Sequence, residues 1–136
     1  MQMKQFSDGN GRIVVVGLCP QRGKYRKGGT RDRLHSLMRE RNYDFLNCFI
    51  EYVPTNECKV RNVDTGIVNE IRSYSKVIGL GKFVESVLRT HEIDGLCIPH
   101  PSPLNRIWND RTKFEEYKEK IDGYIRSQSK RRSLES

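Results

Sequence analysis

Apolar residues fall along the chain in short blocks, divided by polar segments marked with glycine or proline. Residues 12–17, RIVVVG, are a β-branched run ending in glycine, which predicts a buried strand. A basic, glycine-rich loop follows over 20–30, PQRGKYRKGGT. Thr30 is the expected N-cap of a helix that places Leu34, Leu37 and Met38 on one face. Residues 44–53, DFLNCFIEYV, predict a second strand, stopped by Pro54. The stretch 55–63 is polar and irregular. Residues 63–75 predict a weaker helix: Ile67, Val68 and Ile71 have helical spacing, but Gly66 interrupts it. KVIGLG, 76–81, predicts a third strand, and 82–91 a helix turning Phe83, Val84, Val87 and Leu88 inward. DGLCIP, 94–99, predicts a fourth strand. The loop HPSPLNRIWN then leads into a last helix over 110–126, and the polar tail 127–136 is expected to fray.

Strands alternating with helices imply crossover connections and a mainly parallel sheet. The expected fold is therefore α/β, a three-layer α/β/α sandwich on a four-stranded, mainly parallel sheet. One domain over 1–126 accounts for it, and no internal repeat is visible. Ligands of such sheets bind at the carboxyl ends of the strands. The loops after the first, second and fourth strands are thus the places to search for chemistry.

Composition narrows the class. At 136 residues, with 35% hydrophobic and 31% charged content, the chain suits one soluble globular domain. No apolar run approaches the roughly 20 residues that span a bilayer. The first ten residues lack the apolar core of a signal peptide, so the cytoplasm or nucleoid is the expected location, with no membrane partner. None of Cys19, Cys48, Cys58 and Cys97 forms a Cys-x-x-Cys pair. They read as reduced thiols, mostly buried; the alternative is one metal or iron–sulfur site drawing on all four. The net charge is +8 and is unevenly spread. Between positions 22 and 41 stand eight cations, Arg22, Lys24, Arg26, Lys27, Arg31, Arg33, Arg39 and Arg41, against only Asp32 and Glu40. Such an excess directly after a strand-end loop suits phosphate contacts as well as it suits ordinary solvated surface.

Two strand-end loops stand out: GLCPQRG, 17–23, and HPSPLNR, 100–106. Two prolines around one serine stiffen the second loop and fix the histidine before it. HPSPL resembles the leucine-loop motif of the uracil-DNA glycosylase superfamily, where the same five residues occur in established members. GLCPQ resembles that family's water-activating turn, Gly-x-Asp-Pro or Gly-x-Asn-Pro. FLNCFIEYVP, 45–54, is similar to its second strand, whose asparagine reads the pyrimidine edge. KVIGLGKF, 76–83, is similar to its third strand. The matches run in the family's order from about residue 12 to residue 106, and HPSPLN is the most specific of them.

The resemblance implies roles position by position. Asn47 would hydrogen-bond the base edge, which separates uracil from cytosine. His100 would donate to the base oxygen on which charge builds as the glycosidic bond breaks. Leu104 would wedge into the base stack. Pro101, Ser102 and Pro103 would pinch the backbone phosphates, with Asn105, Arg106, Lys24, Arg26 and Lys27 as further DNA contacts. Gln21 and Tyr25 are the remaining base-binding candidates, Tyr25 being the only aromatic of the first loop. The resemblance implies no metal and no other cofactor; the partner is single- or double-stranded DNA, and the protein is a monomer. Compact relatives of this kind occur in bacteriophage genomes.

One departure bears on chemistry. The family's Asp or Asn falls here on Cys19, and a neutral thiol neither orients water nor stabilises a sugar cation as a carboxylate does. Three readings follow: a glycosylase that flips out and excises uracil or a related modified pyrimidine; a base-modifying enzyme of the same fold acting on hypermodified thymine in phage DNA; or a non-catalytic nucleic-acid-binding protein that keeps the base pocket. A generic doubly wound nucleotide-binding domain is disfavoured, because GKYRKGG lacks Walker spacing and no Gly-x-Gly-x-x-Gly follows a strand.

Overall fold

The computed structural model describes residues 4–6, 12–20, 29–102 and 105–127. Its centre is a sheet in the order β1-β3-β2-β4-β5, with β1 at Lys4–Phe6, β2 at Ile13–Gly17, β3 at Asp44–Asn47, β4 at Lys76–Leu80 and β5 at Leu96–Ile98. The four strands β2 to β5 are mutually parallel, as the alternating pattern predicts. The sequence reading did not anticipate β1, which pairs antiparallel along the free edge of β3. Three residues are too few to declare themselves by period, and their pairing is set by the distant β3.

The helices α1 (Thr30–Leu37), α2 (Thr65–Arg72), α3 (Lys82–Thr90) and α4 (Arg111–Arg126) cover both faces. The alternation of β2 shows how. Val14 and Val16 join Ile67, Val68, Ile71, Val84, Val87 and Leu88 in a core beneath α2 and α3. Ile13 and Val15 join Leu34, Leu37, Trp108, Ile121 and Ile125 beneath α1 and α4. A strand covered on both faces must be apolar at every position, which is why IVVVG is continuous rather than alternating. Each of its fully buried valines contributes roughly 1.5–3 kcal/mol by leaving water. Gly79 lets α3 settle on β4: a Cβ there would stand 3.1 Å from both Leu88 and Val84.

Several boundaries differ from expectation. Gly29, not Thr30, is the N-cap of α1, and it offers no side-chain bond. Asp64 and Asp110 cap α2 and α4, their carboxylates accepting from Gly66 N and from Thr112 N and Lys113 N. Each such cap is worth about 1 kcal/mol. Strand β3 stops at Asn47, six residues earlier than the apolar run 44–53 suggests. The stretch 55–63 holds two short 3-10 turns, Thr55–Glu57 and Val60–Asn62. Behind α1, Asp122 of α4 receives Arg39, Arg41 and Arg126, which pins α4 to the turn that follows α1.

From β2 the chain passes outward to β3, then crosses back over β2 to β4. The strand order therefore reverses between β2 and β4, and the crevice rule points to the carboxyl ends of these strands. None of the described helices is long and apolar enough to cross a membrane.

Candidate functional site

At the carboxyl rim of the sheet, Gly17 is the register partner of Asn47. The parallel pairing continues past the strands, with Cys48 N donating to Gly17 O at 2.9 Å and Phe49 N to Leu18 O at 2.9 Å. A Cβ on Gly17 would lie 2.7 Å from Asn47 Oδ1 and 2.9 Å from Phe45 Cζ. Glycine at this position is thus what lets the Asn47 amide lie against β2. Asn47 is only 4% exposed. Among the described residues its amide makes no hydrogen bond.

His100 follows β5 on the same rim. Its carbonyl oxygen accepts from the Trp108 indole Nε1 at 2.7 Å and from Asn105 Nδ2 at 3.3 Å. Asn105 also closes the loop, its N–H donating to Ser102 O at 3.0 Å and its Oδ1 accepting from Ile107 N. The prolines alone were expected to fix this histidine; the indole and the amide fix it too. Gly81, at φ 91°, turns β4 into α3 beside it, and a Cβ there would sit 3.8 Å from His100 Cβ. That φ lies in the left-handed region and favours glycine. Gly81 N also donates to Ile98 O at 2.8 Å, locking the two loops together. Burial holds the His100 imidazole below its ordinary pKa of 6.5, so the ring is neutral at pH 7. From β3 to β5 is three strand spacings, roughly 14 Å between backbones, with the ends of β2 and β4 between them.

Cys19 is half-buried, and its Sγ lies 3.7 Å from the Val53 carbonyl oxygen. Cys58 Sγ reaches the same oxygen at 3.8 Å and Pro54 O at 3.5 Å. Cys48 lies nearby, its thiol pushed up to about 12 by burial and by the neighbouring Cys58 and Cys19. Two thiols, of Cys19 and Cys58, therefore brace the loop 48–54. Cys97 stands elsewhere, packed against Gly79 beneath α3, so one site drawing on all four cysteines does not form. Among the described residues no group of three or more His, Cys, Asp or Glu is arranged to hold a metal ion.

Of the other predicted contacts, Pro101 is buried, Ser102 and Asn105 are half-buried, and Arg106 is exposed in the 3-10 turn Arg106–Asn109. Asp32 lies in the first turn of α1. Gln21, Lys24, Tyr25, Arg26, Lys27, Pro103 and Leu104 lie outside the described residues. Sequence reasoning missed Trp108, although it is the only tryptophan and closely follows the HPSPLNR loop. It also missed the Phe49 and Phe83 rings, which meet at 5.8 Å next to this rim. A groove of about 640 Å³ lies on the α3 side, with Phe83 and Cys58 among its lining residues. Compared with known proteins, the chain matches no family model and no curated sequence.

Proposed function

We propose that this chain is a base-flipping DNA glycosylase that excises uracil or a related modified pyrimidine. The observation that carries the reading is the Asn47 amide, buried against Gly17 on the same rim as a half-buried, neutral His100. A carboxamide offers one acceptor and two donors, which matches the carbonyl and N–H of a uracil edge and mismatches cytosine. A neutral imidazole donates a single N–H to the base oxygen as negative charge moves onto the leaving ring. Trp108 and Asn105 hold the backbone from which that donor projects, which limits the reorganisation needed when the bond breaks. The cations of 22–33 supply phosphate attraction, since Arg39 and Arg41 of the same cluster are engaged by Glu119 and Asp122 of α4.

A second reading has its own support. The Cys19 thiol is engaged with the Val53 carbonyl rather than placed to handle water. A base-modifying enzyme acting on hypermodified thymine, or a binding protein without catalysis, needs no water-activating group there. One experiment separates the readings. The protein is incubated with uracil-containing single-stranded DNA, and abasic sites are cleaved with alkali. The glycosylase reading expects strand breaks that His100→Ala reduces by ~10²–10³ while DNA binding persists. It also expects Cys19→Asp to raise the rate. Tight binding with no breaks, from both the wild type and a natively folded Cys19→Asp variant, would hand the case to the second reading.

A further inference from the structure

The groove on the α3 side has a composition that the base site does not explain. One wall is α3, through Phe83, Ser86 and Thr90; the other is the segment around the 3-10 turn, through Lys59, Val60 and Arg61. Its apolar surface comes from Val60, Val63 and Phe83, and His91 closes one end. No Asp or Glu lines it. Glu85 of α3, the nearest acid on that helix, is engaged by Arg89 at 3.1 Å. Lys59 and Arg61 make no ion pair among the described residues.

Two lining residues of the groove touch the loop that follows Asn47. The Phe83 ring meets Phe49 at 5.8 Å, and Cys58 Sγ meets the carbonyls of Val53 and Pro54. Both contacts are to the loop 48–54, which begins directly after Asn47. That loop also carries Ile50 and Tyr52, the two exposed large hydrophobic residues among those described, at 40% and 46% exposure. The thiol and backbone contacts described above brace it, so these side chains sit on a fixed support.

We infer that the groove and the loop 48–54 together bind the unpaired DNA strand flanking the base presented at Asn47. An apolar bed with an aromatic edge accepts base faces, and Lys59 and Arg61, clear of ion pairs among the described residues, accept phosphates. A duplex hides its base faces by stacking them on one another, so it cannot seat in the apolar bed that brings a strand's phosphates to Lys59 and Arg61. The groove's volume lies within the ordinary range for ligand sites. The inference rests on the nucleic-acid reading above, and its test is made on DNA without uracil, so that failure of base recognition does not touch it.

Fluorescence anisotropy of the full chain with a labelled thymidine homopolymer, across a salt series, reads the groove directly. Lys59→Gln/Arg61→Gln should lower the single-strand salt slope by about 1.4, at ~0.7 per phosphate contact. Tyr52→Ala should weaken single-strand binding by about 5- to 150-fold, the range for losing one stacked base. Duplex binding should change little in either variant. The inference is overturned if the wild type fails to bind the homopolymer, or if the slope and affinity survive these changes. It is equally overturned if duplex and single-strand binding fall together, since that marks general surface charge. Asn47→Ala, measured with uracil-containing against uracil-free strands, reports on the base rim alone.

Discussion

Replacing Gly17 by alanine tests the placement of Asn47 more directly than replacing Asn47 itself. The new methyl would arrive 2.7 Å from Asn47 Oδ1 and 2.9 Å from the Phe45 ring. Ordinary contacts would require either neighbour to retreat by roughly half an ångström or more. The backbone cannot open freely, because Gly17 O holds Cys48 N at 2.9 Å and the strands are paired on both sides. Overpacking of this kind costs ~1–3 kcal/mol. The unfolded chain loses freedom on the same change, which returns ~0.4–1 kcal/mol. The net destabilisation is about 1–2 kcal/mol, or roughly 3–10 °C in Tm for a chain of this size. Thermal unfolding followed by circular dichroism measures it. The double variant Gly17→Ala/Asn47→Ala should be less destabilised than the sum of its parts by at least ~0.5 kcal/mol, because it removes the atom in closest conflict. An unchanged Tm for Gly17→Ala, with strict additivity in the double variant, would show that Asn47 does not lie over β2, and the base-edge role would fall with it.

Two further outcomes follow from the His100 loop. Trp108→Phe keeps an aromatic ring against Phe114 and Tyr117 but removes the 2.7 Å bond to the His100 carbonyl. It should cost ~1 kcal/mol in urea unfolding and lower base release with little change in DNA affinity; loss of affinity instead would make Trp108 a support for DNA contacts rather than a positioning residue for His100. The depressed folded-state pKa of His100 means that the unfolded chain binds its proton more readily. Stability should therefore fall as pH drops through about 6.5 toward the folded value, and His100→Gln should flatten that part of the stability curve; an identical curve for the variant would place the imidazole in solvent.

What could be read from the chain divides along physical lines. The strands β2 and β4 were legible because IVVVG and VIGLG, 13–17 and 77–81, are apolar at every position, the mark of burial on both faces. The helices α1 and α3 were legible from their spacing. The run 44–53 misled because apolar residues continue past the strand: after the bonds of Cys48 N to Gly17 O and Phe49 N to Leu18 O the chain bends into a loop that leaves Ile50 and Tyr52 exposed. Phe83 was expected inward, yet it is half-buried and lines the groove. At the rim, Asn47 and His100 could be nominated because residue type and strand-end position are local facts. The indole bond to His100, the contact of Gly17 with Asn47, and the shared thiol support of Val53 are not local. Each joins side chains across a loop or between strands, and no periodicity reports such a meeting.

The bond between Trp108 and the His100 carbonyl also makes the protein its own optical instrument. Indole emission depends on the polarity and hydrogen bonding around the ring, and the chain has one tryptophan, so the signal has a single source. That source lies in the core under α1 and α4 while its N–H holds the backbone of the rim histidine. Any ligand that shifts the His100 loop will change the colour or yield of this emission. Rapid mixing with unlabelled DNA can thus time the loop's response, with Trp108→Phe as the dark control.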